Sequence, residues 1–233
     1  MMKRIGLIGG LGPESTVDYY KEIISIFNSR SKDMIYPEIL VYSVNFAEFM
    51  DMMKKKEHEK LISYLLKKIN ALAIAGADFA ALTANTPHIF FEELNKRADI
   101  PLISIVDATC LEARSKGFKR PGLFGTGFTM NATFYQDVFI NYDIKIELPQ
   151  REDRELINYK LFSEIELGII MNETRDLLIE VIRKMIKKQH IDSLILGCTE
   201  LPLILRDPEY AGIPMLDTTR IHVREIVNYC LKA

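Results

Sequence analysis

The chain carries two versions of one passage, and that internal repeat limits what it can fold into more than any other feature. Around position 80 it reads Ala77-Asp78-Phe79-Ala80-Ala81-Leu82-Thr83-Ala84-Asn85-Thr86-Pro87-His88. Around position 194 it reads Ile191-Asp192-Ser193-Leu194-Ile195-Leu196-Gly197-Cys198-Thr199-Glu200-Leu201-Pro202. Each is an apolar run that stops at small and hydroxyl residues. The flanks repeat as well. Ile100-Pro101-Leu102 before Asp107-Ala108-Thr109 returns as Ile213-Pro214-Met215 before Asp217-Thr218-Thr219, and Ile5-Gly6-Leu7-Ile8-Gly9-Gly10 is echoed by Pro121-Gly122-Leu123-Phe124-Gly125-Thr126. Three matched segments in one order predict two similar halves with a site between them. A length of 233 residues suits two small domains, with boundaries expected at 1–106 plus 212–233 and at 107–211.

Short apolar runs alternate with longer amphipathic ones. Strands are expected over 5–8, 39–44, 79–82 and 102–105 in the first half, and over 122–124, 145–148, 193–196 and 215–216 in the second. Helical spacing marks 15–29, with Val17, Tyr20, Ile23, Ile24 and Phe27 on one face. It also marks 57–75, 90–98, 132–139, a long stretch over 159–188, and a closing helix over 221–231 that returns to the first half. This alternation implies right-handed crossovers. The expected fold is α/β, with two pseudo-symmetric domains, each a mainly parallel four-stranded sheet flanked by helices. Ligands of such sheets sit beyond the carboxyl ends of the strands. The turns at 9–16, 83–88, 125–129 and 197–200 all fall there, two from each half, and are expected to line an interdomain cleft.

Composition narrows the function classes. With 48% hydrophobic and 27% charged residues and a net charge of -2, the chain offers no basic surface for nucleic acid or an anionic membrane. No apolar run approaches the ~18 residues of a bilayer span, and the stretch after Met1-Met2-Lys3-Arg4 is too short for a secretory signal. Three widely spaced cysteines do not form a disulfide framework, and no Cys/His grouping has zinc spacing. The expectation is a cytoplasmic protein without metal or cofactor.

The glycine-rich turn from Gly9 to Thr16 does not match G-x-G-x-x-G, and Pro13 removes one N–H that a pyrophosphate would use. The second strand ends at Val44-Asn45 with no acidic residue for a ribose. A backbone cradle for a small carboxylate fits better. Cys198 lies between a strand and an expected helix start, where the positive end of a helix dipole lowers a thiol pKa. Cys110 and Cys230, on helices, read as packing thiols. Asn85, Thr86, Thr126 and Thr199 are neutral donors and acceptors at strand ends, suited to an amino acid or small dicarboxylate, though such residues also cap helices. Of four histidines, His88 and His222 follow the turns, while His58 and His190 have charged surroundings.

The motifs Gly9-Gly10-Leu11-Gly12-Pro13, Asn85-Thr86-Pro87-His88 and Gly197-Cys198-Thr199-Glu200 resemble those of the aspartate/glutamate racemase family, which works without pyridoxal phosphate. The resemblance spans essentially the whole chain. It implies a homodimer, and two cysteines that serve as base and acid on opposite faces of the substrate Cα. Cys198 matches the second of them. The first falls on Ala84, which carries no proton, so the resemblance leaves Thr83, His88 or a bound water as the second group. Asn85, Thr86, Thr126 and Thr199 match positions that hold the α-amino and α-carboxylate groups, and Leu11 lies in the first substrate turn. The family's cations for a side-chain carboxylate fall near Met50 or Asp51 and near Glu166, so Glu166 is a substrate-binding candidate that favours a basic tail. The implied activity is an amino-acid racemase with Cys198 as acid/base. The alternatives are a one-thiol decarboxylase or cis-trans isomerase, and a non-catalytic protein that binds small carboxylates.

Overall fold

Strands that are apolar on both faces have to be covered twice, and both halves of the chain do this with helices placed between successive strands. The computed structural model describes residues 2–30 and 33–232. The chain runs β1 (Ile5–Gly9), α1 (Pro13–Arg30), β2 (Ile39–Ser43), α2 (Phe46–Lys54), α3 (His58–Ile74) and β3 (Phe79–Leu82). A 3-10 turn (Thr86–Phe90) leads to α4 (Phe91–Arg97), β4 (Leu102–Ile103), α5 (Ile105–Ser115), β5 (Pro121–Gly125), α6 (Gly127–Asn131) and α7 (Phe134–Phe139). Then come α8 (Arg151–Ser163), α9 (Asn172–Gln189), β6 (Ser193–Gly197), α10 (Leu201–Ile204), β7 (Glu209–Tyr210), β8 (Ile213–Asp217) and α11 (Thr218–Leu231). No helix among the described residues is long and apolar enough to cross a membrane.

Two compact units result. One comprises the chain up to Ile105 together with the residues from His222 on, and the other runs from Val106 to Ile221. The first holds a parallel sheet in the order β2-β1-β3-β4; the second holds β5-β6-β8-β7, parallel except for β7. The sequence expectation of two four-stranded α/β sheets is met. The return to the first unit was expected at 212 and occurs ten residues later. The reason is that β8 pairs in parallel with β6, Leu194 opposite Met215, which keeps 213–217 in the second sheet.

Other expectations need correction. The strand expected over 145–148 shrinks to a single bridge, Gly122 to Glu147, because Pro149 and the start of α8 at Arg151 cut it short. On α1 the buried face is Tyr19, Ile23 and Phe27, while Val17 and Tyr20 are half exposed. The face is turned toward Tyr19 because its hydroxyl bonds His222 Nδ1 at 2.8 Å. Helix α2 was not anticipated. Asn45 Oδ1 caps it by accepting from Ala47 and Glu48 N–H, and Phe49, Met52 and Met53 bury its apolar side. The long helix expected over 159–188 breaks after Ser163 into a 3-10 turn (Ile165–Leu167). Gly168, at φ +75°, ends that turn before α9 begins. Glu166 therefore lies at a break between helices.

The first unit's core gathers Ile5, Leu7, Tyr19, Ile23 and Phe79 with Val223, Ile226, Val227 and Cys230, so the closing helix does cover the first sheet. The second unit's core joins Phe124, Ile157, Leu161, Leu178, Ile182 and Leu196, and it reaches as far as Cys198.

Candidate active site

In the second unit β5 and β6 end level, Gly125 opposite Gly197, and β8 ends beside them with Asp217 opposite Leu196. The residue after Gly197 is Cys198, 5% exposed. Its Sγ–H donates to Glu200 Oε2 at 3.0 Å, and Glu166 Oε1 lies 4.0 Å from the same sulfur. Thr199 Oγ1 donates to the same Glu200 oxygen at 2.9 Å. One carboxylate thus gathers the hydroxyl and the thiol of its two predecessors, which a turn of the form Cys-Thr-Glu allows.

The thiol pKa runs opposite to expectation. Burial pushes Cys198 well above the ordinary thiol range, and the carboxylates of Glu200 and Glu166 push it further. The helix dipole that should have lowered it is weak, since α10 spans only four residues. Glu166 is itself raised to about 7, by burial first and then by Glu200. At neutral pH the group therefore holds a protonated thiol, hydrogen-bonded to Glu200, with the Glu166 carboxyl near its titration midpoint. Sulfur and the two carboxylate oxygens lie within 4.8 Å of one another, the grouping among the described residues that could hold a soft divalent ion.

Thr126 caps α6: its hydroxyl accepts from Thr129 N–H and lies 3.3 Å from Thr129 Oγ1. The capping role anticipated for this residue type is present, whatever else the hydroxyl does. Cys110 and Cys230 are fully buried. Cys110 is pushed up to about 11 by burial, and Cys230 donates to Lys3 O at 3.0 Å. Both are packing thiols.

In the first unit the glycine turn is not an open cradle. Gly10 N–H donates to Thr16 Oγ1 at 2.9 Å, closing one of the donors that a carboxylate would use. Leu11, 7% exposed, has an N–H with no acceptor among the described residues. Thr83 is fully buried; its hydroxyl donates to Ile8 O at 3.2 Å and lies 3.3 Å from Thr16 Oγ1. Its carbonyl accepts from Ser15 Oγ at 2.6 Å. Thr83 ties the end of β3 to the start of α1, which makes it a poor proton carrier. Ala84 and Asn85 are buried, and Thr86 opens the 3-10 turn.

His88 is committed too. Its Nε2 accepts from Ile105 N–H at 3.2 Å, so Nδ1 carries the proton and donates to Ala84 O at 2.9 Å. His222 has the other tautomer: Nε2–H donates to Ile103 O at 3.0 Å and Nδ1 accepts from Tyr19. Burial lowers both, His88 to about 3 and His222 to about 4, with repulsion between the rings adding to the shift of His88. These two neutral rings hold the points where the chain leaves and re-enters the first unit, Ile105 and His222. Sequence reading placed them near the turns and missed the clasp, because tautomer and partner are decided by folding. It also missed Glu200 as a partner of the thiol; the two-residue spacing from Cys198 was the available signal.

Comparison with known proteins agrees with these features. The Asp/Glu/hydantoin racemase model matches residues 8–226. The chain is 26% identical over 227 residues to the broad specificity amino-acid racemase RacX of Bacillus subtilis, covering 96% of each. Over 202 residues, 83% of this chain and 74% of the relative, it is 26% identical to the glutamate racemase of Aquifex aeolicus. Among solved structures, PH1733 of Pyrococcus horikoshii, an aspartate racemase homologue, superposes with a TM-score of 0.86 at 34% identity, covering 99% of this chain and 100% of that one. A Yersinia pestis protein superposes at 0.91 with 32% identity and the same coverage. This chain belongs to the Asp/Glu/hydantoin racemase family.

Proposed function

We propose that the protein is a cofactor-independent amino-acid racemase in which Cys198 moves the proton at the substrate Cα. The observation that carries this reading is the 3.0 Å hydrogen bond from the Cys198 thiol to Glu200, at the carboxyl end of β6, where ligands of such folds bind. A thiol held high in pKa needs somewhere to send its proton before it can act as a base, and Glu200 supplies the acceptor. The thiolate so formed removes the Cα proton and becomes a thiol again. The carbanion then takes a proton from water on its other face, because Ala84, where the resemblance expects a second cysteine, has none to give. The hydroxide left behind takes the proton parked on Glu200, which restores the starting state with the centre inverted. Asn85, Thr86, Thr126, Thr199 and the free N–H of Leu11 serve as donors and acceptors for the α-groups, and donors on the α-carboxylate stabilise the developing charge. Thr83 and His88 are left out of the proton path because their polar atoms are spent on the backbone.

The same two carboxylates bear on the substrate. A second acid chain brought beside Glu166 and Glu200 would meet like charge, whereas the α-ammonium or a basic tail would relieve it and ease thiolate formation. We therefore propose neutral and basic amino acids as preferred substrates; the broad specificity in the name of the Bacillus subtilis relative is consistent with that range. The test is exchange in D2O over a panel of amino acids, read by mass and optical rotation. Deuterium at Cα with loss of rotation is expected, abolished in Cys198→Ala and retained in Cys110→Ala and Cys230→Ala. Exchange without inversion would point to one-sided proton chemistry. Equal activity in all three variants, or exchange confined to aspartate and glutamate, would refute the respective parts.

A further inference from the structure

Helix α8 opens with Arg151-Glu152-Asp153-Arg154-Glu155-Leu156-Ile157-Asn158, so Arg151, Arg154, Glu155 and Asn158 share one helical face. That face and α6 line a half-open cavity of about 270 Å³, formed by these four residues with Gly127 and Asn131. The hydrogen bonds around it engage both side-chain amide oxygens of the lining. Asn158 Oδ1 accepts from Gly127 N–H at 2.6 Å, and Asn131 Oδ1 accepts from Arg154 Nη1 at 2.9 Å. Both amides are thereby turned so that their NH2 groups remain as donors. The single carboxylate of the lining, Glu155, is held by Arg151 Nε at 2.9 Å.

Arg154 is the informative residue. It is partly buried and forms no ion pair among the described residues; the one hydrogen bond of its side chain there is to Asn131, and its Nε is buried without a partner. A guanidinium removed from water without a carboxylate is costly, and the cost is recovered when an anion pairs with it. The first turn of α8 carries Glu152 and Asp153 beside the two arginines, but neither acid lines the cavity, and Asp153 is paired with Lys184 at 2.8 Å. Two cations, one committed acid and two amide donors make a donor-rich, net-positive chamber. At about 30 Å³ per water it holds roughly nine waters, enough for a small metabolite rather than a lone ion.

We propose that this cavity is a binding site for a small oxyanion, a phosphate- or carboxylate-bearing metabolite, gripped by the Arg154 guanidinium and the NH2 groups of Asn131 and Asn158. The site lies wholly within the second unit and uses none of the residues assigned above to proton transfer, so it stands whether or not the racemase reading does.

The test uses the full chain, with inorganic phosphate and succinate titrated separately against sodium chloride of matched ionic strength, by calorimetry and thermal unfolding. One or both oxyanions should bind saturably and raise the melting temperature; which of them binds tells a phosphoryl from a carboxylate ligand. Arg154→Gln should weaken binding by roughly tenfold or more, the usual effect of losing a hydrogen bond to a charged group. Asn158→Asp keeps an acceptor for Gly127 N–H while placing a second carboxylate oxygen in the chamber, and should abolish binding in a protein that still folds. Cys198→Ala should leave binding unchanged. Absence of any saturable effect beyond sodium chloride, or binding that survives Asn158→Asp undiminished, would overturn the proposal.

Discussion

Acid should loosen the first unit and tighten the second, and the structure gives the size of both effects. His88 and His222 are buried as neutral rings at about 3 and about 4, against 6.5 in the unfolded chain. Below pH 6.5 the unfolded state binds protons that the folded state refuses, so the stability they lend is full above 6.5 and is lost as pH falls. At 1.36 kcal/mol per unit, the complete losses are about 5 kcal/mol for His88 and about 3 kcal/mol for His222. Glu166 has the opposite sign. Raised to about 7 from 4.5, it takes up a proton earlier in the folded state, which adds up to about 3 kcal/mol as pH falls from 7 to 4.5. Between pH 6 and 5 the two rings remove about 2.4 kcal/mol and Glu166 returns about 1.2, leaving a net loss of about 1.2. Against a total stability of about 5–15 kcal/mol that is easily measured. The assay is urea unfolding by circular dichroism at intervals from pH 7 to 4.5. Glu166→Gln should steepen the slope to about twice the wild-type value. His222→Gln, whose amide can still donate to Ile103 O and accept from Tyr19, should flatten it. A Glu166→Gln slope no steeper than wild type, or a His222→Gln slope no flatter, would show that these groups are not buried in the protonation states inferred from their hydrogen bonds.

Three further outcomes follow from the site and its supports. Glu200→Gln removes the nearer of the two carboxylates that raise the Cys198 thiol, so alkylation by iodoacetamide at pH 8 should speed up by roughly tenfold; an unchanged rate would mean the carboxylate does not govern the thiol. Gly10→Ala forces a side chain to φ +78° and sets its Cβ 2.4 Å from Val44 O, a loss of about 2 kcal/mol or more in urea unfolding. A change under about 0.5 kcal/mol would show that the turn relaxes. Ala84→Cys restores the thiol expected by resemblance and should raise the racemisation rate; no gain would argue against water as the weak partner in proton transfer.

Several parts of the molecule were readable in the chain because they depend on local pattern. The strands at 5–9, 79–82 and 193–197 show as apolar runs ended by small residues, and the doubled passage announced two sheets. Motif spacing located Cys198 and Thr199. Where the reading failed, the deciding partner was distant in sequence. The face of α1 was placed on Tyr20 because helical periodicity treats two adjacent tyrosines alike; only the bond to His222, 203 residues away, selects Tyr19. The return point was set too early because Ile213–Asp217 resembles the strand before the first unit's exit, while its actual partner is β6. The thiol pKa was given the wrong direction because a helix start is visible in sequence, while the burial that dominates the shift, and the approach of Glu166 from 32 residues upstream, arise only on folding.

The amino-acid sequence alone determined the α/β alternation, the duplication and the position of the one cysteine at a strand end. These follow from hydrophobic period and residue type, which act over a few positions. Tertiary structure decided the chemistry of the groups: which thiol keeps its proton, which histidines stay neutral, and that Arg154 has its Nε buried with no partner among the described residues. Protonation depends on burial and on charges within a few ångströms, and those neighbours are assembled only when the sheets form.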